Sequence, residues 1–96
     1  MSKKRVVVTG IGTVNPLALN LSDSWNKLCN GESGIGEITQ FDTSDLSIKI
    51  AGEVHGFDAE ESFGKQYARK LDRAGHLTIY ATIEALEDAG LDSSER

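Results

Sequence analysis

The first apolar run of the chain is Val6-Val7-Val8, and it ends at the glycine turn Thr9-Gly10-Ile11-Gly12. Three successive valines show no polar alternation, so a strand built from them needs cover on both faces, as in the interior of a parallel sheet. The pattern therefore predicts a central strand at Arg5–Val8. Such a strand requires neighbouring strands and covering helices, and we expect the 96 residues not to contain all of them.

Two helices are predicted from apolar positions that recur every third or fourth residue. The first spans Ser22–Asn30, with its opening serine as a candidate N-cap and Gly31 just beyond its end. The second and longest spans Tyr67–Ala89, and the alanines on its apolar stripe allow a partner helix or sheet to approach closely. Gly90-Leu91 follows that helix in the order typical of a Schellman motif.

Between these helices the pattern predicts a loop, a strand and a short helical turn. The loop covers residues 31–47, where glycines and turn-forming residues dominate. Residues 47–54 alternate apolar and polar side chains, which indicates a half-buried strand at a sheet edge. Asp58 and Glu61 have the spacing of a capping box, so we expect a helical turn to begin there and to end at Phe63-Gly64.

The first glycine turn resembles half of a dinucleotide-binding fingerprint but departs from it at the decisive position. That fingerprint needs a third glycine where the next helix packs against the strand, and Asn15 stands there. Pro16 disfavours helical angles at Asn15, so no helix N-terminus follows directly to receive a pyrophosphate. A second series, Gly31, Gly34 and Gly36, lacks the lysine followed by Ser or Thr of a phosphate-binding loop. Both stretches are interpreted as connections.

Composition and charge narrow the class of protein. Hydrophobic residues make up 39% of the chain and charged residues 26%, which is typical of a folded soluble protein. The net charge of −5 argues against nonspecific nucleic-acid binding. The apolar run after the basic N-terminus is too short for a signal-peptide core or a membrane span. We therefore predict a cytoplasmic protein that has neither nucleic acid nor membrane as a partner.

Cys29 is the single cysteine, which excludes an internal disulfide and a cysteine-based zinc site, and no metal site is predicted. It falls on the apolar face of the first predicted helix, whereas Lys27, the basic residue nearest in sequence, falls on another face. We therefore predict a buried core thiol and not a nucleophile. His55 and His76 are likewise interpreted as surface or packing residues.

Several blocks of the sequence together resemble the N-terminal portion of the β-ketoacyl-[acyl-carrier-protein] synthases, and the type they resemble is synthase II. The blocks follow one another almost from end to end without a gap, so their conjunction is far more specific than any single block. They are Lys4-Arg5-Val6-Val7-Val8-Thr9-Gly10-Ile11-Gly12, Asn15-Pro16-Leu17, Trp25, Gly31-Glu32-Ser33-Gly34-Ile35, Phe41-Asp42, Ala51-Gly52-Glu53-Val54, Ala68-Arg69-Lys70-Leu71-Asp72-Arg73 and Glu84-Ala85-Leu86-Glu87-Asp88-Ala89-Gly90-Leu91.

The resemblance implies a thiolase-like α/β fold, with layered helices between mixed five-stranded sheets, and a homodimer. Residues 1–96 are then the N-terminal portion of the first thiolase-like half, and the fold is incomplete in this chain. The implied activity is elongation of fatty acyl chains by decarboxylative Claisen condensation of an acyl-enzyme with malonyl-acyl carrier protein, without a cofactor. The family's cysteine nucleophile and two histidines lie beyond residue 96, and Cys29, His55 and His76 do not match their motifs.

The resemblance also implies a binding site for the acidic acyl carrier protein at the start of the long helix. The matching basic residues are Arg69 and Lys70, with Lys65 one turn earlier and Arg73 one turn later. A basic cluster in an otherwise acidic chain suits the steering of an acidic partner. The alternative is an ordinary solvated helix face.

Two departures from the family pattern concern packing. Ala18 stands where the family usually has glycine, and Ala74, followed by Gly75-His76, stands where it usually has an aromatic residue. Two other functions stay open at this point. One is a non-catalytic condensing-enzyme homologue, such as a chain-length-factor-like subunit, and the other is a small complete nucleotide-binding or interaction module.

Overall fold

The computed structural model describes residues 3–91 of the chain. Four helices and one two-stranded sheet follow one another along it. They are α1 (Leu21–Cys29), β1 (Ile35–Glu37), β2 (Ile50–Gly52), α2 (Ala59–Phe63), α3 (Lys65–Ala68) and α4 (Arg73–Asp88). Among these described residues, no helix is long and apolar enough to cross a membrane.

The sheet is an antiparallel hairpin in which Ile35 pairs with Gly52 and Glu37 pairs with Ile50. Its first strand lies inside residues 31–47, so the prediction of a loop throughout that range is wrong. The predicted strand at residues 47–54 exists but is only three residues long. A segment forms a strand only where a partner receives and supplies its backbone hydrogen bonds. Residues 35–37 and 50–52 pair with each other, so a strand appears inside the predicted loop and the predicted strand is limited to three residues.

The central strand predicted at Arg5–Val8 does not form within residues 3–91. These residues belong to no strand, and the valines Val6, Val7 and Val8 are 94%, 68% and 78% exposed. A strand needs a neighbour for its N–H and C=O groups, and the two strands found within residues 3–91 pair with each other. The valine run therefore has neither a hydrogen-bonding neighbour nor an apolar cover in this part of the chain.

Helix α1 matches its prediction in extent but not in burial. Its N-cap is Asn20, whose side chain accepts a hydrogen bond from the Asp23 N–H, and not Ser22. Trp25 is 61% exposed, and Cys29 is exposed, so the prediction of a buried thiol is wrong. The apolar face of a helix is buried only where another element packs on it, and the buried residue of α1 is instead Ser24.

The long helix predicted for Tyr67–Ala89 is two helices, because the chain leaves helical geometry before Asp72. The Asp72 carboxylate accepts the Gly75 N–H at 2.8 Å and caps α4, and such local side-chain bonds favour a helix start over a helix interior. The end of α4 confirms the predicted Schellman motif. The Leu91 N–H donates to the Leu86 carbonyl at 2.9 Å, and Gly90, with φ of 78°, makes the required left-handed turn.

The alanine stripe of α4 receives the glycine turn of the first sequence block. A Cβ at Gly12 would lie 2.0 Å from the Ala81 carbonyl oxygen, so only glycine allows the two backbones to approach this closely. The contact is fixed by Glu84, whose two carboxylate oxygens accept the Thr13 N–H at 2.8 Å and the Leu21 N–H at 2.9 Å. The stripe therefore does allow close approach, but the segment that packs there is the chain's own N-terminal glycine turn and not the helix or sheet that was predicted.

The buried core is small and lies where α2 and α3 meet α4. Its buried hydrophobic residues are Phe57, Ala59 and Ala68, with Phe63 and Tyr80 among the partly buried side chains around it. Phe57 packs edge-on against Tyr80, with ring centroids 4.9 Å apart. The radius of gyration is 16.9 Å, whereas a compact domain of this length has about 12.5 Å. This part of the chain is therefore an open arrangement around one local core.

Candidate functional site

The four basic side chains predicted to bind a carrier protein lie around the junction of α3 and α4. Lys65 is the first residue of α3, Arg69 is its C-cap, and Arg73 is the first residue of α4. Lys70 lies between the two helices, and all four residues are exposed. We call these four residues the basic cluster.

Arg73 differs from the other members because it is held within the chain. Its guanidinium donates to the Phe57 carbonyl at 3.3 Å and to the Val54 carbonyl at 3.4 Å, and it lies 5.1 Å from the centre of the Phe57 ring. A guanidinium over an aromatic face adds a cation–π attraction to these bonds. Arg73 therefore joins α4 to the segment before α2, which limits its freedom to contact a partner.

Arg69 and Arg73 line one surface depression, together with His76 and the acidic residues Asp58 and Glu60. Two arginines and two acidic residues therefore line this depression, so their formal charges cancel. Lys65 and Lys70 are not among its lining residues. The exposed lysines Lys65 and Lys70 therefore add positive charge outside this depression.

The backbone around the cluster follows from three local features. Gly64 ends α2 with φ of 87° and begins α3 without a side-chain cap. Helix α3 is a single turn, closed by the Arg69 N–H to the Lys65 carbonyl at 3.2 Å. Asp72 then starts α4. These turns place the basic side chains around a bend between α3 and α4, whereas the sequence pattern had predicted one continuous helix over Tyr67–Ala89.

One residue at this junction was given no specific role by the sequence. The His76 ring nitrogen Nε2 lies 2.6 Å from the Ala68 carbonyl oxygen, and the ring is tilted against Phe63 at a centroid distance of 6.3 Å. The only sequence signal at this position is that His76 lies in the triplet where the chain departs from the family pattern.

Helix α4 packs against the glycine turn that resembled a nucleotide-binding fingerprint. Ala81 and Ala85 of α4 lie within 3 Å of where a Cβ of Gly12 would stand. The Asn15 side-chain oxygen accepts the Leu17 N–H at 2.8 Å and the Ala18 N–H at 3.2 Å, which folds the chain into a turn. The glycines therefore serve a contact with α4, which the interpretation as a connection did not predict.

The remaining residues with catalytic chemistry form no recognisable centre in the described chain. Cys29 is exposed at the end of α1, and His55 is exposed after β2. Within residues 3–91, no group of three or more His, Cys, Asp or Glu side chains is arranged to hold a metal ion. The basic cluster therefore stays the candidate binding site of this segment.

Comparison with known proteins relates this segment to a protein family. The family model described as "Beta-ketoacyl synthase, N-terminal domain" matches residues 3–96. The chain belongs to the β-ketoacyl synthase family. This ketoacyl synthase segment is 47% identical over 95 residues to the 3-oxoacyl-[acyl-carrier-protein] synthase 2 of Vibrio cholerae serotype O1. It is 42% identical over 95 residues to the protein of the same name from Synechocystis sp.. Each match covers 99% of this chain and 23% of the relative.

A solved structure supports the fold of the ketoacyl synthase segment. The structure of the ishigamide ketosynthase/chain length factor has a TM-score of 0.85 and 30% sequence identity to this chain. The match covers 98% of this chain and 23% of the solved one. The prediction of the N-terminal part of a thiolase-like α/β fold is confirmed by this similarity. The chain spans about a quarter of the length of its relatives.

Proposed function

We propose that this ketoacyl synthase segment is the N-terminal portion of the first thiolase-like half of a 3-oxoacyl-[acyl-carrier-protein] synthase 2. The observation that carries the proposal is the 47% identity to the Vibrio cholerae synthase over 99% of the chain. We further propose that the whole protein is a cytoplasmic homodimer, as the family resemblance implies. Residues 1–96 supply no catalytic group to the reaction in this proposal.

The proposed reaction joins two thioesters in fatty acid synthesis. An acyl group is carried on a cysteine beyond residue 96, and malonyl-acyl carrier protein loses carbon dioxide to form a carbanion. The carbanion attacks the acyl thioester, a carbon–carbon bond forms, and the cysteine thiolate leaves. The product is a 3-oxoacyl-acyl carrier protein that is two carbons longer. No cofactor is required, because the departing carbon dioxide leaves behind the electron pair that forms the new bond.

The whole protein should therefore convert acyl- and malonyl-acyl carrier protein to the 3-oxoacyl product with release of carbon dioxide. Mass spectrometry of the carrier protein would detect the product directly. Absence of both condensation and acyl transfer to the enzyme would contradict the proposed activity.

The role that we propose for this segment is to dock the acyl carrier protein through the basic cluster. Three exposed basic residues lie within residues 65–70, namely Lys65, Arg69 and Lys70. Arg73 anchors the bend that carries them through its bond to the Phe57 carbonyl. Exposed charges of one sign accelerate the approach of an oppositely charged partner and lose this effect as salt is added. The cluster therefore contributes mainly to the association rate.

Charge reversal tests this docking site in the whole protein. The double variant Arg69→Glu/Lys70→Glu should slow association with acyl carrier protein about tenfold at low ionic strength, because attraction becomes repulsion. Lys49→Glu is the matched control, since Lys49 is an exposed lysine outside the cluster. Stopped-flow or surface plasmon resonance measurements at increasing salt give both rates. Unchanged association of the double variant at low salt would exclude the site.

A second candidate function is a non-catalytic subunit related to chain length factors. The observation that favours it is the similarity to the ishigamide ketosynthase/chain length factor, whose name pairs a chain length factor with a ketosynthase. Such a subunit would share this N-terminal segment but lack the cysteine nucleophile further along the chain. Failure of the whole protein to form an acyl-enzyme, together with intact carrier-protein binding, would favour this second function.

A further inference from the structure

The His76 side chain reaches from the first turns of α4 back to the end of α3. Its Nε2 lies 2.6 Å from the Ala68 carbonyl oxygen. A carbonyl oxygen can only accept, so Nε2 carries the proton and donates this hydrogen bond. His76 is half-buried and Ala68 is buried at 7% exposure, so the bond lies largely out of water.

This bond satisfies a group that α3 cannot satisfy by itself. The last carbonyls of a helix have no partner within the helix, and they need a side chain, water or a tightened turn instead. Helix α3 contains four residues, Lys65–Ala68, and begins at Gly64 without a side-chain cap. A single turn is unstable when it stands alone, so its geometry depends on the contacts at its ends.

The bond also lies directly before two residues of the proposed docking site, Arg69 and Lys70. Arg69 follows Ala68 as the C-cap of α3, with φ of −68° and ψ of −21°. The Arg69 and Lys70 N–H groups each donate at 3.2 Å to carbonyls within the same turn, those of Lys65 and Tyr67. If the Ala68 carbonyl loses its donor, this turn can unwind, and the backbone that carries the two basic side chains changes its direction.

We propose that His76 is a positioning residue for the carrier-protein docking site, acting through the Ala68 carbonyl. The proposal rests on the proposed function of the basic cluster. Arg73 holds α4 to the segment before α2 through the Phe57 and Val54 carbonyls, so α4 stays in place without His76. The imidazole therefore controls the local turn at Arg69 and not the position of the long helix.

Two substitutions of His76 in the whole protein separate the hydrogen bond from the mere presence of a side chain. His76→Leu removes the donor and keeps an apolar side chain. His76→Gln keeps an N–H donor the same number of bonds from the backbone. Thr82→Val is the matched control, because it also removes a side-chain donor to a carbonyl on α4, the bond to Thr78 at 2.7 Å.

The measurements are carrier-protein affinity at low salt and hydrogen exchange of the peptide that contains residues 65–70. We expect His76→Leu to accelerate exchange there and to weaken binding about fivefold, the effect of one lost hydrogen bond. We expect His76→Gln and Thr82→Val to leave both close to the starting protein. Unchanged exchange in His76→Leu, or equal losses in the Leu and Gln variants, would overturn the proposal.

The charge-reversal variant keeps this test distinct from that of the docking site. If Arg69→Glu/Lys70→Glu weakens binding but His76→Leu does not, the docking site stands and the positioning role of His76 is overturned. If charge reversal has no effect on binding, the proposed docking site fails first. Faster exchange in His76→Leu would then identify a cap of α3 without a role in docking, which also overturns the proposal.

Discussion

Two neighbouring stretches near the start of the chain, residues 6–8 and residues 10–13, differ sharply in how far other residues cover and bind them. The valines are 94%, 68% and 78% exposed and belong to no strand. The second stretch lies against α4, where the Ile11 N–H donates to Asp88 at 3.0 Å and the Thr13 N–H donates to Glu84 at 2.8 Å. Within residues 3–91, the more apolar stretch is thus the less covered one.

The difference shows that apolar character alone does not bury a segment. Apolar area stabilises a fold only when another surface removes it from water, and the valines face none in this part of the chain. Gly10 and Gly12 have no side chain, so their backbone lies directly against the backbone of α4 near Ala81 and Ala85. Complementary shape and hydrogen bonds therefore determine that the glycine turn, and not the valine run, packs against α4.

The strongest test of this comparison is Gly12→Ala in the whole protein. A Cβ at this position would lie 2.0 Å from the Ala81 carbonyl oxygen and 2.7 Å from the Ala85 nitrogen, and backbone atoms cannot move aside like a side chain. We expect a loss of about 3 kcal/mol in the free energy of unfolding. Chemical denaturation measures it. Gly36→Ala is the control, since nothing lies within 4 Å of its Cβ position; equal effects of both variants would contradict the close contact.

The second test removes the carboxylate that anchors the glycine turn. Glu84→Ala leaves the Thr13 and Leu21 N–H groups without their acceptor in a half-buried position. We expect the free energy of unfolding to fall by about 2 kcal/mol, since hydrogen bonds to charged groups are the stronger ones. Glu87→Ala, on the exposed side of the same helix, is the control. A Glu84 variant as stable as that control would show that the anchor contributes nothing.

The third test asks whether the valine run finds its cover in the whole protein. If Val7 lies in a central strand there, Val7→Thr places a hydroxyl in an apolar interior and should cost about 1.5 kcal/mol of unfolding free energy. Lys4→Thr, in the same stretch, controls for the effect of a threonine as such. Thermal and chemical unfolding compare the two variants. A neutral Val7→Thr would mean that the valines stay exposed in the whole protein as well.

The smallest expected effect concerns Glu53, a carboxylate anchor on the hairpin surface. Desolvation acts to raise the pKa of Glu53, but hydrogen bonds from the Thr39 N–H and hydroxyl and the Gln40 N–H, with the nearby His55, hold it below its ordinary value of 4.5. Because the folded pKa is lowered, the anchor acts fully above that ordinary value. It is lost as the pH falls through the folded pKa.

Amide chemical shifts of Thr39 and Gln40 should follow this titration in a nuclear magnetic resonance experiment. Their midpoint should lie below pH 4.5, the ordinary value for the Glu53 carboxyl. Glu53→Gln should abolish the titration, whereas Glu37→Gln, on the neighbouring strand, should preserve it. A midpoint at or above the ordinary value would show that this surface anchor forms too weakly to affect the carboxylate.

The start of α2 and the end of α4 were predictable because their bonds join residues a few positions apart. The Asp58 carboxylate accepts the Glu60 and Glu61 N–H groups at the start of α2, as the capping-box spacing predicted. The Schellman motif at Gly90-Leu91 is likewise local. The helix break before Asp72 was missed because the apolar periodicity continues through it, while the cap bond to Gly75 stops the helix.

The candidate site was predictable only as a set of residue types. The resemblance to a known family assigned Lys65, Arg69, Lys70 and Arg73 to one surface, and a binding role for them stays a prediction. No sequence pattern indicated that Arg73 is held by the Phe57 and Val54 carbonyls. Contacts between residues sixteen or more positions apart depend on how the segment before α2 folds back on α4, which no local pattern encodes.

The sequence by itself determined the family, the cap of α2 at Asp58 and the Schellman motif at the end of α4, since these depend on residue identity and short-range spacing. The tertiary structure alone decided which apolar surface is covered. It brought Gly12 against the backbone of α4 and His76 against the end of α3, and within residues 3–91 it left Val6–Val8 and the apolar face of α1 exposed. The physical reason is that burial is a property of two surfaces, and a sequence pattern describes only one of them.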